Sequence, residues 1–332
     1  MQFKYLVAAA IGLTLSAGTA CAQFPEKEIN LVIPWGVGGP TDIAARAFVP
    51  LFEKYLGKPV VIVNKPGAGG AIGTDFAYAR PADGYTVVLS AETPAVFRVL
   101  GTSKLSFHDF DALNMLVYSE KLIVVSADSK YQTMKDLVDD MKARPGKVRF
   151  SYTGPGSSGH IQGLLLKDKS GLDISMTPFT SGNESLLAAV GGQVDFTAAN
   201  LGTVKDFLAS GKMRALAMYS SKRSDFTPDI PPITDTLPEL APYLPLEFPT
   251  ALLVKKGTPE DAQKVLLEAA QKAAADPAWA DFKKNTYYVG LEDLTGQKVI
   301  DYWDNWASIV AWLLYDAKST KFSPAEFNIP KK

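Results

Sequence analysis

The 332-residue chain has one cysteine and two histidines. The cysteine, Cys21, lies in an apolar N-terminal segment. A chain that loses this segment has no disulfide, no thiolate metal site and no cysteine nucleophile. With only His108 and His160, and no thiols beside them, a zinc centre is not expected. Charge imbalance is also lacking. The 34 basic and 35 acidic residues give a formal net charge of −1, whereas nucleic acid or an anionic membrane surface as main partner calls for a basic face. Beyond the N-terminus, no apolar run reaches the roughly 20 residues of a membrane span.

The N-terminus itself, MQFKYLVAAAIGLTLSAGTACA, has one lysine, an apolar stretch to about Leu15, and small residues ending in Ala20-Cys21-Ala22. That is the pattern of a secretory signal with an A-x-A cleavage site. Residues 1–22 are expected to be removed after Ala22, leaving an exported, periplasmic protein that begins at Gln23. Gly18 stands where a lipid-attachment signal through Cys21 would have leucine. The composition, 47% apolar and 21% charged, is that of a globular chain, and the length suits two domains.

Short apolar runs alternate with helical patterns. Candidate strands are INLVIP (29–34), PVVIV (59–63), TVVLS (86–90), LIVVS (122–126), VRFSY (148–152), DISMTP (173–178), VDFTA (194–198), MRALAMY (213–219) and TALLV (250–254). Helical periodicity fills 41–56, 71–80, 132–143, 158–169, 183–190, 202–209 and 259–275. The alternation predicts an α/β fold with mainly parallel sheets, whose strand-to-helix turns gather at one edge. The proline-rich stretch 227–249 reads as a return path between domains. Near the C-terminus, Trp303, Trp306, Ile309, Val310, Leu313 and Leu314 repeat at helical spacing and are expected to pack into a core.

Two glycine turns carry the chemistry. PWGVGGPTD (34–42) and NKPGAGGAIG (64–73) each follow a strand and open a helix. Neither is a nucleotide loop. The first lacks the lysine and hydroxyl of a phosphate-binding G-x-x-x-x-G-K-[ST]. The second is one residue too long for the dinucleotide spacing, and no acidic residue follows TVVLS directly. Two helix N-termini at one sheet edge would instead aim backbone N–H groups at a single small oxyanion, such as a carboxylate. Asp42 fits a structural role: with Gly39 as N-cap and Pro40 in the first helical position, it can turn back to the cap N–H as in a capping box.

A hydrolase is the alternative. GPGSSGH (154–160) sets Ser157 and Ser158 near His160, but neither serine lies in a G-x-S-x-G elbow, and a histidine on the same turn reaches back poorly as a base. A secreted serine hydrolase therefore needs a distant residue to complete it.

In order and spacing, INLVIPWGVGGPTDIAAR, LGKPVVIVNKPGAGGAIGTDFAYARPADGYTVVLS, YTGPGSSGHIQG, GGQVDF and MRALAMYSSKRS…PDIPPITDTLPEL resemble the substrate-binding receptors of tripartite tricarboxylate transporters, the Bug receptors, from about Phe24 to about Tyr315. The resemblance implies a two-lobed α/β periplasmic binding protein (a Venus flytrap). Lobe 1 would be 23–122 with 246–332, lobe 2 would be 123–245, and the cleft would lie between them. It implies a monomeric receptor, without cofactor or metal, that captures a di-, tri- or aromatic carboxylate and hands it to integral-membrane permease subunits. A sensor in place of the permease is the other partner such a receptor could serve. The implied ligand contacts are Trp35, Gly36, Gly38, Gly39, Thr41, Asp42, Gly67, Ala68, Gly69, Gly70 and Ala71 from lobe 1. Ser157, Ser158, Ser181 and Gly182 would face them from lobe 2. Thr93, Arg98 and Asn200 complete the candidate set; Arg98 reads either as an anchor for the far end of the ligand or as a solvent-exposed arginine on a helix. The chain departs from the family at several points. Gly36 and Val37 replace a proline pair, Pro40 replaces a small residue, and Ala199 replaces an aspartate. Glu92 and Arg98 stand where small polar residues are usual.

Overall fold

A computed structural model describes residues 24–179, 181–244 and 246–332; the candidate signal segment, 1–22, lies outside them. Two five-stranded sheets organise the chain. The first runs in the order Val60–Asn64, Ile29–Ile33, Thr86–Ser90, Ala251–Lys255, Phe110–Met115. Its first three strands are parallel, and Ala251–Lys255 runs antiparallel to both neighbours. The second runs Met213–Met218, Lys121–Ser126, Phe196–Asn200, Arg149–Tyr152, Ser175–Pro178. Here Phe196–Asn200, Arg149–Tyr152 and Ser175–Pro178 are parallel, and the other two pairings are antiparallel. Both sheets are thus mixed. The antiparallel pairings arise where the chain enters or leaves a sheet without a helical crossover.

Strand residues are apolar on both faces because each sheet is covered on both sides. Leu31, Ile33, Val87 and Leu89 point into a core under the long helices Pro40–Leu56 and Glu260–Ala274. The alternating residues Val32 and Val88 point the other way, into a core shared with Ile123, Val125 and Phe150 of the second sheet. Leu122 and Val124 face a third core, beneath Gly182–Val190 and Leu201–Ala209.

The C-terminal helix Gln297–Asp316 joins the sheets. Trp303, Trp306, Val310, Leu313 and Leu314 are all buried in the shared core, as the periodicity predicts. The proline-rich stretch carries the chain from the second sheet back to the first through short turns at Ile233–Asp235 and Pro238–Tyr243.

Candidate functional site

Parallel strands place their carboxyl ends together, so three loops of the first sheet share one edge: residues 34–39, 65–70 and 91–96. Three loops of the second sheet do the same after Tyr152, Pro178 and Asn200. The two edges meet. A β-carbon placed on Gly69 would lie 3.8 Å from the carbonyl oxygen of Pro155. One placed on Gly156 would lie 2.7 Å from Leu100 Cδ1.

The first glycine turn is held from beneath by Asp42, which is 1% exposed. Its Oδ2 accepts the Gly38 N–H at 2.8 Å and the Arg46 Nε–H at 2.8 Å, and its Oδ1 accepts from Asn64 Nδ2 at 2.9 Å. Asn64 Nδ2 also donates to the Trp35 carbonyl at 3.1 Å. Burial works to raise the Asp42 pKa, but the hydrogen bonds from Arg46, Gly38 and Asn64 outweigh it and hold the carboxyl below its usual range. Gly39 is the N-cap and Pro40 opens the helix, as expected. The capping-box expectation is corrected in one respect: the bonded N–H belongs to Gly38, one residue before the cap. The cap N–H of Gly39 turns instead to the Gly36 carbonyl at 3.3 Å. Asp42 is therefore spent on the turn.

The second turn is tighter. Gly67, Gly69 and Gly70 all have positive φ, as does Ala68, a conformation that costs a side chain but not glycine. Gly73 closes the packing: a β-carbon there would sit 2.5 Å from the Lys65 carbonyl oxygen and 2.7 Å from Pro34 Cα. The Gly70 α-carbon faces the Trp35 ring and the Thr93 hydroxyl, each 3.3–3.4 Å from where its β-carbon would be. The buried indole N–H of Trp35 has no acceptor among the described residues. First-turn N–H groups of a helix have no partner within it. Those of Thr41 and Asp42, and those of Ala68 and Gly69 in the turn before Ala71–Tyr78, are thus left beside an unpartnered donor and a hydroxyl.

From the second sheet, Ser157 caps the helix Ser158–Leu164, its Oγ accepting the His160 N–H at 3.2 Å. The His160 ring is stacked on Tyr152 and takes the Gly156 N–H on Nδ1 at 3.1 Å, so it is engaged away from both serines. Ser181 caps Gly182–Val190 in the same way, and both Ser181 and Gly182 are exposed. Asn200 closes its strand with Oδ1 taken by Lys121 Nζ at 2.6 Å.

Arg98 does not join this group. It lies on the short helix Phe97–Leu100 and turns outward. Its Nε donates to the Lys104 carbonyl at 2.9 Å and its guanidinium pairs with Asp109 at 2.8 Å. Arg98 thus ties down the turn around Phe107–Asp109 and is corrected here from anchor to structural tie. The residues that sequence reasoning missed are Lys121 and Glu120 at the crossing between sheets, and Glu247 on the return path. Glu92, noted only as a departure from the family, is 5% exposed. A charged residue at the end of a buried strand is the signal that could have found Glu92, Glu120 and Lys121; Glu247, in the irregular stretch before Ala251–Lys255, carries no such signal.

Two mixed α/β sheets with helices on both faces, meeting at the carboxyl edges of their parallel strands, make up the fold of a two-lobed periplasmic binding protein. A family model described as the tripartite tricarboxylate transporter family receptor matches residues 44–298, and the chain belongs to that family. It is similar to the UPF0065 protein in the gbd 5′ region of Cupriavidus necator, with 34% identity over 298 residues, 86% of this chain and 89% of that one. It is 30% identical over 321 residues to BugT of Bordetella pertussis, covering 92% of this chain and 94% of BugT. Among solved structures, the periplasmic binding protein BugD matches with a TM-score of 0.80 and 25% identity over 90% of this chain and 99% of BugD. MatC from Rhodopseudomonas palustris with bound malate matches at 0.74 and 23% identity (86% and 100% covered). An R. palustris protein with adipate matches at 0.77 and 22% (89% and 98%). Among the described residues, no helix is long and apolar enough to cross a membrane.

Proposed function

We propose that the protein is an extracytoplasmic receptor that captures a small organic carboxylate between its lobes and delivers it, unchanged, to the permease subunits of a tripartite transporter. The observation that supports this most is the convergence of the two glycine turns. Both turns lie at one sheet edge, the Trp35 ring and the Thr93 hydroxyl both face Gly70, and the indole N–H and the first-turn N–H groups at 41–42 and 68–69 are left as donors for such a ligand. Every one of these groups can donate a hydrogen bond, and none needs to be ionised. Charge-assisted bonds of roughly 1.5–3 kcal/mol each, less the cost of ordering the ligand and closing the lobes, are compatible with a micromolar dissociation constant, about −8 kcal/mol. Malate and adipate in proteins of the same fold are consistent with a carboxylate at this edge. The mature protein is expected to start at Gln23 and to act as a monomer.

The test is a thermal-shift screen of the mature protein against mono-, di- and tricarboxylic acids. A true ligand raises the melting temperature by mass action and is recovered chemically intact after incubation. If no acid shifts the transition, or if an acid is consumed, the reading fails.

A further inference from the structure

Behind the glycine turns, where the chain crosses between the sheets, lies a group of charged side chains that the carboxylate cradle does not use. A cavity of about 40 Å³ is lined by Glu120, Lys121, Gln162 and Glu247, among others. That is room for a small polar group. Gln162 is 2% exposed, and its Oε1 has no hydrogen-bond donor. Lys121 reaches from this cavity toward Glu92, close enough for their charges to interact, yet no ion pair forms between them. Among the described residues, Lys121 Nζ hydrogen-bonds Asn200 Oδ1 alone and lies over the Phe248 ring, and no other residue donates to the Glu92 carboxylate. Glu120 has one donor, the Ser224 hydroxyl. Glu247 takes its own backbone N–H and a 3.4 Å bond from the Tyr302 hydroxyl. Two carboxylates and an unmet amide oxygen thus line one cavity with a single lysine, and a third carboxylate, Glu92, lies within reach of that lysine's charge. Of the other titratable groups there, Tyr118, Tyr219 and Tyr302 bring no positive charge, and Asp225 adds a further negative charge beside Glu120.

Glu92 and Gln162 are buried and Glu120 and Glu247 are half-buried; acceptors in such excess call for a donor and for positive charge. The electrostatics agree: burial pushes Glu92 up to about 7 and raises Glu120 and Glu247, while it lowers Lys121 to about 8. Glu92 immediately precedes Thr93, whose hydroxyl faces Gly70 of the cradle. The carboxylate within reach of Lys121 therefore belongs to the residue next to one that faces the proposed carboxylate site.

The geometry points to a distal subsite, formed by Glu120, Gln162 and Glu247 beside Lys121 and backed by Glu92 through that lysine, that takes a protonated amine on the far end of the ligand and disfavours a second carboxylate. This rests on the receptor reading above and narrows its ligand to amino-carboxylates.

The experiment is calorimetric titration of the mature protein with matched acids of three to six carbons: the ω-amino acid, the ω-hydroxy acid, the plain acid and the diacid at each length. At the best length, the ω-amino acid is expected to bind at least tenfold more tightly than the diacid. Glu92→Gln and, independently, Gln162→Leu should each reduce that ratio by fivefold or more while changing the affinity for the plain acid less than twofold. Two variants on different elements guard against one that fails to fold, and melting temperatures identify such a case. If diacids bind as tightly as amino acids, or if the ratio is unmoved in both folded variants, the subsite assignment is wrong while the receptor reading stands. If no acid of any kind binds, the receptor reading fails and this one with it.

Discussion

The carboxylate of Asp42 accepts the backbone N–H of Gly38 at 2.8 Å, reaching back four residues to brace the loop that its own helix follows. An anionic side chain beside a proposed anion site is thereby neutralised by Arg46, Asn64 and the loop itself. Replacing Asp42 with alanine strands the Gly38 N–H and the Asn64 amide. The expected loss is about 3 kcal/mol of stability, with weakened ligand binding because the turn loosens. Urea denaturation of Asp42→Ala, read beside the milder Asp42→Asn, measures it.

Gly73→Ala should be more disruptive than its size suggests. The added carbon meets backbone atoms of Lys65 and Pro34, so both glycine turns must shift. Overpacking of this kind costs roughly 1–3 kcal/mol. The expected outcome is a lower melting temperature together with lost carboxylate binding. Gly154→Ala, at a positive-φ position, which Gly73 is not, and with open space around it, should lower stability through backbone strain alone.

Arg98→Ala should leave ligand affinity within about twofold of wild type, because the guanidinium serves Lys104 and Asp109. The expected cost is in stability, roughly 1 kcal/mol for a part-exposed pair with a carbonyl bond. A calorimetric titration in which binding collapses would return Arg98 to the ligand site.

Stability should fall as the solution is acidified through the range of His160. Burial lowers its pKa from 6.5 to about 4, so the folded state keeps the ring neutral while the unfolded chain takes up a proton. This contribution is complete above pH 6.5 and is lost as the pH drops from 6.5 to 4, by up to about 3 kcal/mol. Chemical denaturation at pH 7 and pH 4.5 should show a steeper loss for wild type than for His160→Asn. Equal slopes would mean that the ring is not desolvated as described.

Each of the nine apolar runs read from the sequence lies on a strand; the central strands are covered on both faces and so apolar at nearly every position, while the edge strands Val60–Asn64 and Ser175–Pro178 are only partly covered. Phe110–Met115 escaped notice. It is an edge strand interrupted by Asp111 and Asn114, so it has neither an apolar run nor a clean alternation. Tyr288–Gly290 is only three residues long and pairs with Val117–Ser119 from far along the chain. The two glycine turns were legible because their residue types are demanded by backbone conformation. Arg98 was misplaced because sequence position locates a backbone at an edge without saying where the side chain points. Glu92 and Lys121 belong to different sheets, and no local pattern joins them.

The most direct test of the account is a crystal structure of the mature protein with the acid that gives the largest thermal shift. The account predicts one carboxylate between the lobes, its oxygens within about 3 Å of backbone N–H groups at 41–42 and 68–69, with no covalent bond to Ser157 or Ser158. A carboxylate held elsewhere, or by an arginine outside the glycine turns, or an acylated serine, would contradict it.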